Sequence, residues 1–149
     1  MRVVVQRVSE ASVKVGGGEV ARIGRGYLVL AGFSRDDDDD TLRWMARKVT
    51  TLRVFEDDEG RMSQSLQAVD GRLLLVSQFT LYGNCNKGTR PSYDRSASAN
   101  DARELYERFV AMVEEEAPGR VETGEFQAMM EVSLVNDGPV TIVIEKEVS

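Results

Sequence analysis

Two short segments hold the residues best suited to chemistry. Ser77-Gln78-Phe79-Thr80 lies in the last, polar part of residues 72–81, which read as a central strand. Polar groups at the end of such a strand are a frequent place for a site. By local rules the segment is the end of a strand with ordinary polar positions on one face. The second segment is Gly138-Pro139. By local rules it is a tight turn between two strands. An X-Pro bond is also the one common place for a cis peptide, which would turn two carbonyls to one side of a loop.

What the chain lacks narrows the chemistry further. It has no His and one Cys, Cys85. A Ser-His-Asp triad, a Cys-His dyad, a His general base and a His-bound metal are therefore excluded. A lone Cys makes neither an internal disulfide nor a zinc site, and Cys85 reads as a plain loop thiol. Catalysis must use hydroxyls, carboxylates, Lys or Arg, backbone groups, or the substrate itself. No cofactor and no metal are expected.

The acidic runs do not change that. Residues 36–40 are five consecutive Asp. Leu42, Met45, Ala46, Val49 and Leu52 follow at helical spacing, so the acids read as a solvated helix N-terminus, where they complement the dipole. Glu56-Asp57-Asp58-Glu59-Gly60 lacks the spacing of a calcium loop and reads as a turn. Trp44, on the first helix, reads as a packing residue.

These segments must be positioned by a mixture of strands and helices. Residues 2–8 and 11–15 are Val-rich and partly alternating, which predicts two strands. Gly16-Gly17-Gly18 predicts a turn, 19–23 a return strand, and 27–33 a buried strand. A second helix is predicted from about Ser98, with Ala102, Leu105, Tyr106, Phe109, Val110 and Val113 as its apolar stripe. Strand-like segments at 121–123, 130–135 and 141–148 close the chain, with 136–139 interrupting them. Between central strand and second helix lies a long loop, 82–97. It carries Lys87, Arg90 and Arg95, which read either as phosphate contacts or as a solvated loop.

The 149 residues fit one α+β domain, 1–149, large enough to bury a core unaided. The charge is −6, from 19 Lys+Arg against 25 Asp+Glu. That balance speaks against a broad phosphate-binding face, so no DNA partner is expected. It leaves room for a small pocket that grips one end of an RNA. No run approaches the ~20 apolar residues of a membrane span, and the N-terminal run is interrupted by charge, unlike a signal peptide. A cytoplasmic protein with no membrane partner is expected.

Ser-Gln-Phe-Thr-Leu, followed by Val-Ser-Leu-Val-Asn-Asp-Gly-Pro-Val-Thr, resembles the D-aminoacyl-tRNA deacylases. The opening Val-Gln-Arg-Val, Lys87-Gly88-Thr89-Arg90-Pro91-Ser92 and Thr123-Gly124-Glu125-Phe126 fit the same family. The likeness runs from Gln6 to Thr141. It implies a homodimer of a largely antiparallel, β-barrel-like α+β fold with two main helices and an active site at the subunit interface. It implies hydrolysis of the ester between a D-amino acid, or mischarged glycine, and the 3′-terminal adenosine of tRNA. By similarity, Ser77, Gln78, Phe79 and Thr80 line the catalytic pocket. Gly138-Pro139, as a cis pair from the partner, excludes L side chains, and Arg7 holds that pair. Phe126 and Met130 correspond to residues around the terminal adenine. Gly16-Gly17-Gly18, Thr89 and Tyr93 depart from the family's usual residues, away from the two principal motifs.

With no His base, the resemblance favours a substrate-assisted reaction, in which the terminal 2′-OH positions or activates water, over attack by Thr80. Two alternatives stand beside it. One is a relative with a trans Gly-Pro bond that edits small L-amino acids. The other is a non-enzymatic dimeric tRNA-binding module.

Overall fold

Alternating Val-rich segments separated by glycine turns build the first sheet: β1 (Arg2–Val15), β2 (Gly18–Ile23) and β3 (Gly26–Gly32). The computed structural model describes residues 1–148. α1 (Asp39–Thr51) follows, then the short pair β4 (Phe55–Glu56) and β5 (Met62–Gln64), and the central β6 (Arg72–Ser77). A 3₁₀ turn (Phe79–Tyr82), α2 (Ala99–Glu116), β7 (Val121–Thr123) and β8 (Met130–Glu145) complete the chain.

The main sheet has the order β2-β1-β3-β6-β7, with β8 bonded to β1 alone. It is antiparallel at β1–β2, β1–β3 and β1–β8. It is parallel at β3–β6 and β6–β7, where α1 and α2 serve as crossovers. The sheet curls into a nearly closed barrel. Its central strands are buried on both faces, which accounts for their continuous apolar runs. Tyr27, Val29, Ala31, Leu73 and Leu75 face the helices with Val3 and Val5. Leu28, Leu74 and Val76 face the other way, with Val8, Ala11 and Val13. Gly26 allows β3 and β6 to meet, because a Cβ there would lie 1.8 Å from the Arg72 carbonyl oxygen.

Both helices have the predicted apolar stripes, and the structure shows a side-chain cap on each. Asp38 accepts from the Thr41 N–H at the start of α1, and Ser98 accepts from the Asp101 N–H at the start of α2. Leu42, Met45, Ala46 and Val49 are buried, as are Leu105, Tyr106, Phe109 and Val113.

Three boundaries differ from expectation. Residues 2–15 form one strand rather than two, since register shifts at Val8 bend β1 without breaking it. Residues 130–145 also form one strand, and 136–139 lie within it rather than in a turn between strands. The central strand stops at Ser77, and the chain turns into the 3₁₀ segment.

Candidate active site

The 3₁₀ turn is what makes the Ser77–Thr80 segment more than a strand end. The Gln78 N–H donates to the Ala31 carbonyl (2.8 Å), the last tie to the sheet. The turn is then closed by Leu81 N–H to Gln78 O (3.3 Å) and Gly83 N–H to Thr80 O (2.9 Å). The first N–H groups of a helical turn have no acceptor inside it. Those of Phe79 and Thr80 find no other acceptor among the described residues. Two adjacent donors are thus left free beside exposed side chains. The Gln78 side-chain amide donates to Thr80 Oγ1. Among the described residues no carboxylate or amine bonds to the Thr80 hydroxyl, so none of them is placed to take its proton.

A cavity of about 810 Å³ opens beside this turn. Val76, Ser77, Gln78 and Phe79 form one wall, and small residues of the α2 approach, Ala97, Ala99 and Ala102, leave it room. The opposite wall is Phe126 through Met130, with Val132. Phe126 is held from behind. Its ring lies 5.8 Å from Tyr106, and the Arg103 guanidinium sits 4.7 Å over it. Arg103 Nη2 also donates to Gln127 Oε1 (3.0 Å). The buried Tyr106 hydroxyl donates to the Leu75 carbonyl (3.1 Å). Burial pushes that hydroxyl up to about 12, so it stays a neutral donor.

Of the residues singled out from sequence, Ser77, Gln78, Phe79, Phe126 and Met130 therefore meet on one cavity. Thr80 lies within the turn itself but is not among the lining residues. Arg7, Gly138 and Pro139 lie elsewhere in the chain's own fold, so one chain does not bring all nine together. Sequence reading missed Gln127, Ala128 and Met129. Gln127 adopts a left-handed conformation (φ 61°), and Met129 is 92% exposed at the cavity edge. The only available signal was their place next to Phe126.

Arg7 and Gly138-Pro139 form a second constellation. In the β1–β8 ladder, Gln6 pairs with Thr141 and Val8 with Asn136. Arg7 alone therefore faces Asp137, Gly138, Pro139 and Val140, which bulge outward. The Arg7 side chain is 6% exposed. Its Nη1 donates to the Val54 carbonyl (2.7 Å) and its Nε to the Asp137 carbonyl (3.1 Å). The carboxylates of Asp137 and Glu56 lie at 3.6 and 3.8 Å. Gly138 has φ +124°, and a Cβ there would be 2.9 Å from Arg7 Nη2, so both conformation and space require glycine. The Gly138-Pro139 bond is cis. Asn136 steadies the bulge, accepting from the Val140 N–H (3.1 Å) and donating to Thr141 Oγ1 (2.9 Å).

The charged features sort themselves differently from a list of residues. Asp38 is a cap, but the Asp37 side chain is turned inward and accepts from the Met1 ammonium (2.8 Å) and the Ser34 N–H (2.7 Å), so this stretch is only partly a solvated face. In the 82–97 loop, Arg95 is held by both oxygens of Glu147 (2.8 and 2.7 Å). Cys85 is exposed, and Trp44 packs against the core.

A family model described as D-Tyr-tRNA(Tyr) deacylase matches residues 4–145. The chain belongs to this family. A D-aminoacyl-tRNA deacylase of Chlorobaculum tepidum is 56% identical over 145 residues, 97% of each chain. One of Symbiobacterium thermophilum is 55% identical over 148 residues, 99% of this chain and 97% of that one. Among solved structures, the c-Myc DNA Unwinding Element Binding Protein superposes with a TM-score of 0.94 at 41% identity, covering 99% of this chain and 100% of the other. A probable eukaryotic D-amino acid tRNA deacylase superposes at 0.82 with 23% identity, covering 96% and 97%, a likeness of fold alone. The family match spans residues 4–145, a stretch that contains both the cavity wall and the Arg7 bulge. Among the described residues no helix is long and apolar enough to cross a membrane.

Proposed function

We propose that this deacylase-family chain hydrolyses the ester between a D-amino acid, or mischarged glycine, and the 3′-terminal adenosine of tRNA. The observation that carries the reading is the pair of free N–H groups at Phe79 and Thr80 beside the Phe126–Met130 cavity. An aminoacyl ester is already activated, so the protein must supply only part of the barrier reduction. The adenine enters between Phe126 and Met130, and the ester carbonyl reaches the 3₁₀ turn. Water, positioned or activated by the ribose 2′-OH, adds to that carbonyl. The Phe79 and Thr80 N–H groups stabilise the oxyanion. The carbon–oxygen bond to the ribose then breaks, the 3′-oxygen takes a proton, and the free D-amino acid leaves.

The active unit in this reading is a homodimer, with Gly138-Pro139 of each chain inserted into the other's site. Supporting this, β8 is bonded on one side only, and Val135 and Val143 are 50% and 65% exposed. Main-chain atoms of the bulge held by Arg7 stand where an L side chain must go, whereas a D side chain points outward. Selection is by exclusion, and glycine, lacking a side chain, is cleaved to some extent.

A deacylation time course on D-tyrosyl-tRNA beside L-tyrosyl-tRNA, with a chelator throughout, tests the reading. Loss of the D ester with the L ester spared is expected. Cleavage of both would overturn the account of Gly138-Pro139, and cleavage of neither would favour a non-enzymatic tRNA-binding module.

A further inference from the structure

Residues 84–92 form a small hairpin on the loop between the 3₁₀ turn and α2. Its base is tied by Asn84 N–H to Ser92 O (2.8 Å) and Ser92 N–H to Asn84 O (3.0 Å). Its tip carries Lys87 and Arg90, both exposed. Among the described residues neither has a carboxylate partner, although Arg95 on the same loop is paired with Glu147. In a chain of charge −6, two unpaired cations on one short hairpin are a local reversal of sign.

Beside the hairpin base stands an exposed aromatic step. Tyr93 and Phe79 are 37% and 56% exposed, with ring centroids 5.1 Å apart and planes at 60°. A Cβ at Gly83 would lie 3.3 Å from the Tyr93 ring, so the ring sits close over that glycine. Phe79 belongs to the cavity wall as well, so the step is continuous with the cavity mouth. Open aromatic faces next to unpaired cations suit a single-stranded nucleic acid, whose bases stack while its phosphates meet the charges. An apolar protein segment would cover the rings but leave the cations without purpose.

We infer that Tyr93 and Phe79 form a stacking step for the unpaired nucleotides that precede the terminal adenosine of tRNA, with Lys87 and Arg90 on their phosphates. This rests on the proposed function, since it is the terminal adenosine in the cavity that brings its neighbours across Phe79. Stacking accepts any base, so the step adds affinity and alignment without sequence selection.

Two substrates isolate the step: D-tyrosyl-tRNA, and 3′-O-D-tyrosyl-adenosine, which lacks those nucleotides. Tyr93→Ala is expected to raise KM for the tRNA about 5- to 150-fold, the range of a lost base–aromatic stack. Cleavage of the adenosine ester should change by less than about twofold, and Tyr93→Phe should match wild type on both. Replacing Lys87 and Arg90 together by Ala should flatten the log–log salt dependence on tRNA by about 1.4, at ~0.7 per single-strand phosphate. An equal loss on both substrates would mean that Tyr93 only supports Phe79 and would overturn the inference, as would no loss on tRNA. If the wild type cleaves neither substrate, the fault lies with the proposed function. The step is then read from fluorescence anisotropy of a labelled single-stranded RNA ending in CCA. There, Tyr93→Ala must weaken binding, and unchanged binding sinks the inference by itself.

Discussion

Replacing Arg7 by Met keeps most of the aliphatic stem and removes the guanidinium. Two hydrogen bonds are lost, to the carbonyls of Val54 (2.7 Å) and Asp137 (3.1 Å). A hydrogen bond from a charged donor contributes ~1.5–3 kcal/mol. The partly exposed carboxylates of Asp137 and Glu56, at 3.6 and 3.8 Å, add little, ~0–1 kcal/mol together. Against this, burying a thioether avoids the desolvation of a cation that is only 6% exposed. The net loss is about 2–4 kcal/mol. For a domain of this size, Tm should fall by roughly 5–15 °C in melts at one protein concentration. The same change frees the Asp137–Val140 bulge, so the ratio of D- to L-tyrosyl-tRNA cleavage should fall at least about tenfold, equivalent to ~1.4 kcal/mol of discrimination. Arg7→Lys should be intermediate, because one ammonium cannot serve both carbonyls in a fixed fork. A lower Tm with an unchanged ratio would show that Arg7 stabilises the fold without setting stereochemistry. An unchanged Tm would refute the clamp itself.

Thr80→Val removes the hydroxyl that accepts from Gln78 but keeps the backbone N–H. Single-turnover rates should stay within about tenfold of wild type, whereas a loss beyond ~10³-fold would make the hydroxyl essential. Tyr106→Phe deletes the buried bond to the Leu75 carbonyl and should lower stability by about 1 kcal/mol, seen as a smaller urea midpoint with the same slope. A loss several times larger would mean that the ring behind Phe126 has moved. The hydrogen bond from Arg95 holds the Glu147 carboxyl below the usual carboxylate range. The pair therefore stabilises the fold fully above that range and ceases to do so as pH falls through the depressed value. Urea midpoints of wild type and Arg95→Ala should converge in acid, and a gap that persists there would contradict the assignment.

Much of the fold is legible from short-range pattern. The apolar spacings at 42–52 and 102–113, with acids before the first and Ser98 opening the second, specify two helices, because a helical period is a local property. The continuous apolar runs at 27–33 and 73–76 mark strands buried on both faces. The absence of His is independent of any fold, and it removes whole classes of mechanism from residue counts alone. Tertiary structure decided the rest. Whether 2–15 is one strand or two depends on register against β3, β2 and β8, which no local period encodes. The same register leaves Arg7 facing the Asp137–Val140 bulge and requires glycine at 138. The central strand stops at Ser77 because Gln78 finds its last sheet partner in Ala31, and that end leaves two N–H groups free. The cavity takes walls from β6, the α2 approach, the Phe126 loop and β8, segments far apart in the chain. Arg95 looks like its neighbours Lys87 and Arg90 until the fold carries Glu147 to it. Sequence order records which faces are apolar, whereas the convergence of distant side chains is set by pairing energies between segments that the order alone does not join.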